Sequence, residues 1–376
     1  MAVELNVVRD RGPGRGARRA AEGPGRMLPR VVEPFEVRVA RSIEEFDRRE
    51  WDALFPNELE TWGYLRALER ARLEGCDLVY FAVRSGGRLV AAAPGFVGRR
   101  VLAEPWRAAA RGQWRRSRGR RLVLGSPLSD LRRVGIAPGV DARERMKLVG
   151  LTLRAARDEA ARMGVSCALP GEVDTGQSQP LRLFRSSTWF ETGRRKELTP
   201  LSLPQWSFAD YLSCIEEPLR GRLLRVCAQA GPYERDWHVD LGRDLAPILA
   251  LCADAGLEEL GQAFFENLLG PEVCASCLVV RLDGKVAGFS LVLHDARVLR
   301  EKLTIVSRRV KGPLVRALIW LETIRFSLEA GIGRFESPSE LSLAVAGPRA
   351  QNPSTGSSLS TVPSAAVPPE RSSVAT

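Results

Sequence analysis

The stretch CLVVRLDGKVAGFSLVLH, residues 277–294, decides the fold of the second half of this 376-residue chain. Two apolar segments flank Asp283-Gly284, and glycine accepts the positive φ that a tight hairpin turn needs. The stretch therefore predicts a β-hairpin. Apolar patterning after it predicts a third strand over Val298–Val306, an amphipathic helix over Leu314–Ala330 and a last apolar stretch over Ile332–Phe335.

The first half of the chain repeats this plan. Residues 77–97, DLVYFAVRSGGRLVAAAPGFV, predict a second hairpin that turns at Ser85-Gly86-Gly87. A third strand over Leu122–Leu124, a helix over Asp141–Met163 and an apolar stretch over Val165–Leu169 are expected after it. The order of elements is thus the same in both halves, which predicts two domains of one kind.

Helices are also predicted ahead of the hairpins. Apolar residues at helical spacing predict a helix from Leu59 to Leu73 in the first half and another from Glu258 to Leu269 in the second. Ser42 and Glu45 form a capping box before a predicted helix over 43–55. A similar start, Ser207 with Asp210, precedes a helix over Tyr211–Ile215. Each half is therefore predicted as helix–β–β–β–helix–β.

The first half carries an insertion. Both long helices run into a glycine, Gly164 or Gly331, which is the residue expected just after a helix C-terminus. From the turn glycine to that glycine there are 77 residues in the first half (Gly87 to Gly164) and 47 in the second (Gly284 to Gly331). The excess coincides with a basic stretch, 99–121, and a Pro/Gly-rich loop, 127–139.

Composition favours a folded cytoplasmic protein. Apolar residues make up 44% of the chain, yet no apolar run reaches the roughly 20 residues of a membrane span. The first 30 residues have no apolar segment of the kind found in a secretory signal. Seven cysteines, an odd number in a long chain, are typical of reduced thiols. Cys274 and Cys277 lack a second pair or a nearby histidine, so no metal site is expected.

The net charge of +11 is carried almost wholly by arginine, because the chain has only five lysines. The stretch Arg107–Arg121, with Trp114 inside it, has the composition of a surface for anionic membranes or nucleic acid. A solvated insertion explains it equally, and an Arg/Ala/Gly-rich coding bias accounts for the overall charge. The sequence leaves these interpretations open.

Several short segments of the sequence resemble segments of one known superfamily, the GNAT (acyl-CoA N-acyltransferase) proteins. Two copies in tandem resemble the FemABX-like or peptidoglycan-biosynthesis-like group of that superfamily, and more closely the chain resembles bacterial GNAT-family N-acetyltransferases. The resemblance covers roughly residues 35–336 and depends on the order and spacing of five short segments. These are Phe35-Glu-Val-Arg-Val…Glu50-Trp-Asp-Ala-Leu, Glu60-Thr-Trp-Gly-Tyr-Leu-Arg-Ala-Leu-Glu, Gly87-Arg-Leu-Val-Ala-Ala-Ala-Pro, Ser207-Phe-Ala-Asp-Tyr-Leu and Asp283-Gly-Lys-Val-Ala-Gly-Phe-Ser-Leu-Val-Leu-His-Asp.

The resemblance implies an α/β (α+β) fold with two tandem GNAT-like domains, each a mixed, mostly antiparallel sheet flanked by helices. It also implies an N-acyltransferase that moves an acyl group from acetyl-CoA or another acyl-CoA to an amine. The expected domain organisation is an N-terminal arm (1–33), a first domain (34–170) with the basic insertion 99–121, a connecting segment (171–204), a second domain (205–337) and a disordered tail (338–376).

A cofactor motif, roughly R/Q-x-x-G-x-G/A, lies at the start of a helix in GNAT proteins. Its backbone N–H groups face the CoA pyrophosphate, because the first turn of a helix has unpaired donors and a partial positive charge. Arg309-Val-Lys-Gly-Pro-Leu matches it here, with a proline that suits a first helical turn and a leucine in place of the second small residue. The resemblance therefore assigns the cofactor site to Arg308, Arg309, Lys311, Gly312 and Leu314.

Acyl transfer to an amine needs a carboxylate that accepts the proton and a strand backbone donor that holds the thioester carbonyl. The candidate carboxylates are Asp295, Glu301 and Glu336, each of which is equally explained as a surface residue. His294, beside Asp295, is a candidate proton shuttle. No covalent nucleophile and no metal are needed.

The resemblance ends at Ser337, where the family continues with aromatic-rich strands. Residues 338–376 contain no aromatic side chain and are rich in Ser, Pro and Ala, which predicts disorder and an open edge on the second sheet. Two other functions therefore remain: a FemABX-type aminoacyl transferase acting on a cell-wall precursor, or a catalytically inactive scaffold or basic binding protein. Expected partners are a small-molecule or cell-wall-precursor amine and, through 107–121, an anionic membrane; nucleic acid is not favoured except as aminoacyl-tRNA.

Overall fold

The computed structural model describes residues 35–56, 58–98, 119–128, 134–168, 172–173, 181–182, 199–203 and 207–337. The N-terminal arm, almost all of the basic insertion and the predicted disordered tail lie outside these residues, as does most of the connecting segment. No described helix is both long enough and apolar enough to cross a lipid bilayer.

The first half is a six-stranded sheet with helices packed on it. Its strands are β1 (Glu36–Ala40), β2 (Cys76–Ser85), β3 (Arg88–Gly98), β4 (Arg121–Leu124), β5 (Gly135–Ile136) and β6 (Ser166–Ala168), and its helices are α1 (Arg48–Leu54), α2 (Trp62–Ala71) and α3 (Ala142–Arg162). The order is β1-β2-β3-β4-β6, with β5 paired to β3. All pairs are antiparallel except β4 and β6, which are parallel because α3 connects them.

The second half repeats this sheet. A short pair, β7 (Glu172–Val173) with β8 (Leu181–Arg182), precedes it. Its strands are β9 (Thr199–Ser202), β10 (Tyr233–His238), β11 (Ala275–Leu282), β12 (Lys285–His294), β13 (Val298–Val306) and β14 (Arg334–Ser337), and its helices are α4 (Phe208–Ser213), α5 (Leu219–Ala228), α6 (Leu245–Asp254), α7 (Gln262–Leu268) and α8 (Gly312–Glu329). The order is β10-β11-β12-β13-β14-β9, and only β13 and β14 are parallel.

The internal repeat is confirmed down to single residues. Each hairpin has a register shift at the same place before its turn, between Val83 and Arg84 in one half and between Val280 and Arg281 in the other. Both arginines reach a carboxylate that follows the neighbouring strand of the sheet: Arg84 pairs with Glu50, after β1, and Arg281 pairs with Asp244, after β10. The hairpin turns also match, because Gly87 and Gly284 both have positive φ.

Asp244 stabilises the second half through Arg281, whose side chain is only 2% exposed. The hydrogen bonds from Arg281 hold the pKa of Asp244 below its ordinary value of 3.8, although burial acts in the opposite direction. Replacing Asp244 by asparagine is expected to lower the free energy of unfolding by about 2 kcal/mol near neutral pH. Urea denaturation of both proteins near neutral pH and in acid measures the difference.

The pH dependence of this difference follows from the depressed pKa. A carboxylate with a lowered folded-state pKa stabilises fully above its unfolded value and loses that contribution as the pH falls through the folded value. The difference between wild type and Asp244→Asn should therefore narrow below pH 3.8. Asp283→Asn, the same change on an exposed turn residue, should leave stability unaltered. A difference that does not change with pH contradicts the assignment.

The predicted helix ends are confirmed where local chemistry sets them. Gly164 and Gly331 have φ of 66° and 69°, and the amides that follow them bond back to Ala160 and Ser327 at 3.0 and 2.8 Å. Both predicted capping boxes are also present, Ser42 with Glu45 and Ser207 with Asp210.

The predicted helix over 43–55 is wrong as a single element. The chain forms one 3₁₀ turn, Ile43–Glu45, and then starts α1 afresh at Arg48. Asp47 causes the break, since its side chain accepts hydrogen bonds from the amides of Arg49 and Glu50 and so caps a new helix. The helices predicted from Leu59 and from Glu258 likewise start later, at Trp62 and Gln262.

The two halves share one apolar core. α2 packs against its counterpart α7, and the largest core cluster combines residues of both halves, among them Leu65, Leu68, Phe264 and Phe265. Contact between equivalent elements is what a pseudo-twofold pairing of two similar domains produces. β9, from the end of the connecting segment, pairs with β14 through Thr199–Ser202 and covers the edge that the sequence predicted to be open.

Candidate active site

The two parallel strands of the second sheet separate part-way along their length. β14 pairs with β13 only through Val298, Leu299 and Arg300. β13 continues to Val306, so from Glu301 onwards its edge away from β12 has no strand partner among the described residues. Lys302 has no partner on β12 either, because the register shifts there by one residue and forms a β-bulge. From Glu301 onwards, the backbone groups on this edge of β13 are therefore not used by any described strand.

The loop after β13 ends at the N-terminus of α8. The backbone N–H groups of Val310, Lys311 and Gly312 donate no hydrogen bond to any described residue. Lys311 is the N-cap but provides no side-chain cap, and Pro313 follows as an early helical residue without an N–H group. Free amides at the positive end of a helix of 18 residues are suited to bind a phosphate group.

Positive side chains surround this loop. Arg308, Arg309 and Lys311 are exposed and form no ion pair with another described residue. A cleft of about 210 Å³ opens beside them, lined by Leu251, Asp254, Ala255, Leu303, Thr304, Ile305, Val306, Ser307, Arg308 and Arg316. The cleft therefore follows the unpaired end of β13 and ends at the basic loop.

The matching loop of the first half is built differently. Asp141 is the N-cap of α3, and its side chain accepts a hydrogen bond from the Glu144 amide at 2.8 Å. Two carboxylates thus lie where the second half has free amides and basic residues. A phosphate group is repelled by these carboxylates, so the start of α3 is not suited to bind an anion.

The topology of the two halves identifies their fold. Each half has four antiparallel strands in a row, a helix that crosses over, and a strand parallel to the fourth of them. Both halves have the GNAT-like fold. In the second GNAT-like domain, the crossover helix also starts at the point where the parallel strands have separated.

Several solved structures are similar to this chain at low sequence identity. A tandem GNAT protein from the clavulanic acid biosynthesis pathway has a TM-score of 0.47 and 13% identity, with 81% of this chain and 89% of that chain covered. FemX has a TM-score of 0.44 and 12% identity over 77% and 87%. L-PGS from Bacillus licheniformis has a TM-score of 0.39 and 14% identity over 77% and 75%. No family model and no curated protein sequence matches the chain.

Of the predicted catalytic residues, Asp295 lies apart from this site. It closes the turn between β12 and β13, where its side chain accepts hydrogen bonds from the amides of Arg297 and Val298 at 2.7 and 2.8 Å. Burial opposes its charge, but these amides keep the pKa of Asp295 below its usual range. His294 is turned towards Ser276, with 3.0 Å between Nε2 and Oγ, and burial lowers its pKa. Both residues lie at the opposite end of β13 from α8.

The other two predicted carboxylates lie where the strands separate. Glu301 accepts a hydrogen bond from Thr304 and a second one from Ser337 at 2.6 Å. Glu336, only 5% exposed, accepts a hydrogen bond from Arg300 at 2.7 Å. The structure therefore brings Glu301 and Glu336 to the same junction, on opposite faces of the sheet.

Leu314 contributes less to the loop than its place in the motif implies. Its side chain packs against the core cluster that contains Leu278 and Val315, so it does not cover the free amides. Its own amide already donates to the Lys311 carbonyl at 3.0 Å. Among the motif residues, Val310, Lys311 and Gly312 have amides that donate to no described residue.

Sequence reasoning missed the charged partners at this junction. Arg300 and Lys302 are both less than 8% exposed, and they pair with Glu58 and Glu60 of the first half. The signal was present in the sequence, because Arg300-Glu-Lys interrupts a strand that is otherwise apolar, and charges are rarely buried without partners. Their partners are 242 residues away and could not be paired from the sequence.

Proposed function

We propose that the protein is an N-acyltransferase that uses an acyl-CoA bound to its second GNAT-like domain. The observation that carries this proposal is the continuous path from the separated strands to the free amides of Lys311 and Gly312 at the start of α8. The strand separation and the anion-binding helix terminus are independent features of the fold. One elongated ligand with a pyrophosphate contacts both of them.

The residues of the loop supply the anion site. The amides of Lys311 and Gly312 donate to the pyrophosphate, and Arg308 and Arg309 neutralise its charge. The unpaired edge of β13 offers backbone donors and acceptors to the extended pantetheine arm. At the inner end of that edge, the bulge at Lys302 presents a backbone amide to the thioester carbonyl, where it stabilises the negative charge that develops on oxygen.

The carboxylates at the junction take the proton of the acceptor. In the reaction, the amine nitrogen forms a bond to the thioester carbon, the carbon–sulfur bond breaks, and the thiolate leaves and is protonated. The amine proton passes to a carboxylate, for which Glu301 and Glu336 are the candidates. The acceptor is a small molecule or a cell-wall precursor that carries a primary amine.

Calorimetric titration with acetyl-CoA at moderate salt tests the proposal. Saturable binding is expected, with a Kd roughly tenfold or more below that of pyrophosphate, because the pantetheine and acyl groups add contacts along β13. Pyrophosphate measures the contribution of charge alone. A folded protein that binds acetyl-CoA no better than pyrophosphate contradicts the proposal, and titration with aminoacyl-tRNA then separates the aminoacyl transferase from the inactive scaffold.

A further inference from the structure

A buried group of charges joins the two halves beside the bulge of β13. The interdomain cluster consists of Glu58 and Glu60 from the first half and Arg300, Lys302 and Glu336 from the second. Their side chains are at most 10% exposed. Lys302 Nζ lies 2.7 Å from Glu60, Arg300 Nε lies 2.7 Å from Glu336, and Arg300 also pairs with Glu58.

The first half holds the cluster in place with neutral partners. Ser126 Oγ donates to the second carboxylate oxygen of Glu60 at 2.9 Å. The ammonium group of Lys302 lies over the ring of Tyr64, 5.6 Å from its centroid, and Tyr64 is fully buried. Glu60 and Lys302 thus have contacts that fix their positions on both sides of the domain boundary.

The internal repeat offers a comparison within the same chain. Thr61 and Gly261 are the N-caps of α2 and α7, so Glu60 in the first half corresponds to Leu260 in the second. The third pair of the parallel ladder is Arg300 with Glu336 in one sheet and Val123 with Ala168 in the other. The repeat therefore has only apolar residues where three members of the cluster lie.

That comparison shows that the fold does not require these charges. Leu260 and Val123 are buried at the equivalent positions, 1% and 5% exposed, and the first sheet forms around them. Buried ion pairs cost desolvation, and apolar residues in their place are often as stable or more stable. Within the described residues, the second sheet has a bulge and a strand separation that the first sheet lacks, and we look for the reason for the cluster there.

The direction of the Lys302 side chain is linked to the bulge. Strand alternation sends successive side chains to opposite faces, yet Lys302 reaches Glu60 while the next residue, Leu303, packs in the core shared by both halves. A β-bulge permits two successive side chains to share a face and turns the local backbone. The pair between Lys302 and Glu60 thus restrains the bulge from the first domain.

We infer that Glu58 and Glu60 of the first domain are positioning residues, which hold the β13 bulge through Arg300 and Lys302 so that its amide meets the acyl carbonyl. This inference rests on the proposed function, because it assigns the carbonyl to the bulge. It gives the first domain, whose own helix start repels phosphate, a part in acyl transfer without a ligand of its own.

Infrared spectroscopy of acetyl-CoA labelled with ¹³C at the thioester carbonyl tests the inference on the full chain. In the wild type, the carbonyl band of the bound molecule is expected at lower wavenumber than that of the free molecule, because a hydrogen bond polarises the C=O group. In Glu60→Gln and in Lys302→Met the bound band should return to the free position, while acetyl-CoA still binds at the loop.

A charge exchange provides the rescue. Glu60→Lys combined with Lys302→Glu re-forms the pair and should restore the shift of the carbonyl band. Glu258→Gln is the matched control, because Glu258 corresponds to Glu58 in the repeat but is exposed and should leave the band unchanged. Single variants that bind acetyl-CoA and keep the full shift overturn the inference. A wild type that binds no acetyl-CoA instead overturns the proposed function.

Discussion

Replacing Gly312 by aspartate should abolish measurable binding of acetyl-CoA and leave the protein folded. A Cβ at Gly312 meets no atom within 4 Å, and its φ is not in the left-handed region, so the new side chain fits. The carboxylate then lies beside the amides that are expected to hold the pyrophosphate. Repulsion between two such charges at about 4 Å costs about 4 kcal/mol near a protein surface, which is roughly a thousandfold in Kd.

Two variants serve as controls for this result. Gly312→Ala adds a Cβ without charge and should keep nearly all of the affinity. Gly261→Asp places the same carboxylate at the start of α7, where the site is equally open, and should change neither stability nor binding. Circular dichroism and calorimetry measure both properties. If the folded Gly312→Asp protein binds acetyl-CoA as the wild type does, the pyrophosphate does not lie at this loop.

Replacing Arg300 by methionine should strongly destabilise the protein. Burial opposes the charge of Arg300, but Glu58, Glu336 and Glu60 outweigh it and raise its pKa. Removal of the guanidinium takes from Glu58 the cation with which it pairs, whereas Glu60 keeps Lys302 and Glu336 keeps Arg334. Breaking a buried pair in this way costs about 3–5 kcal/mol, and urea denaturation measures the free energy of unfolding.

The origin of this effect is checked in two ways. Arg297→Met removes an arginine from an exposed pair with Asp295 and should cost less than about 1 kcal/mol. Arg300→Met combined with Glu58→Gln removes the buried carboxylate that has lost this cation and should recover much of the loss. If Arg300→Met costs no more than Arg297→Met, the carboxylates of the cluster are not held by Arg300.

Much of the fold could be predicted because its signals are local. The bounds of β13 were predicted as Val298–Val306 and are confirmed, and the hairpin turns at Asp283-Gly284 as expected. Such features depend on φ preferences and apolar alternation within a few residues. Helix starts were less accurate, since a single side chain such as Asp47 restarted a helix.

In the proposed site too, the features set by local sequence could be predicted, and those set by tertiary contacts could not. The loop at Gly312 could be found from the sequence, because a glycine and basic residues at the start of a helix carry the physics of anion binding by themselves. The catalytic candidates Glu301 and Glu336 were proposed as separate carboxylates, and the chain fold brought them to one junction. Asp295 was a catalytic candidate on the same kind of sequence evidence, but its side chain closes the turn between β12 and β13.

The sequence by itself determined two similar domains, their hairpins and helix ends, and the glycine at the start of α8. Only the tertiary structure decided which charges meet, because Arg300 and Lys302 find Glu58 and Glu60 across 242 residues of chain. It also decided that β9 covers the edge of β14. Local preferences act over a few residues, whereas pairing across the domain boundary depends on how α2 and α7 pack, and no pattern in either half encodes that packing alone.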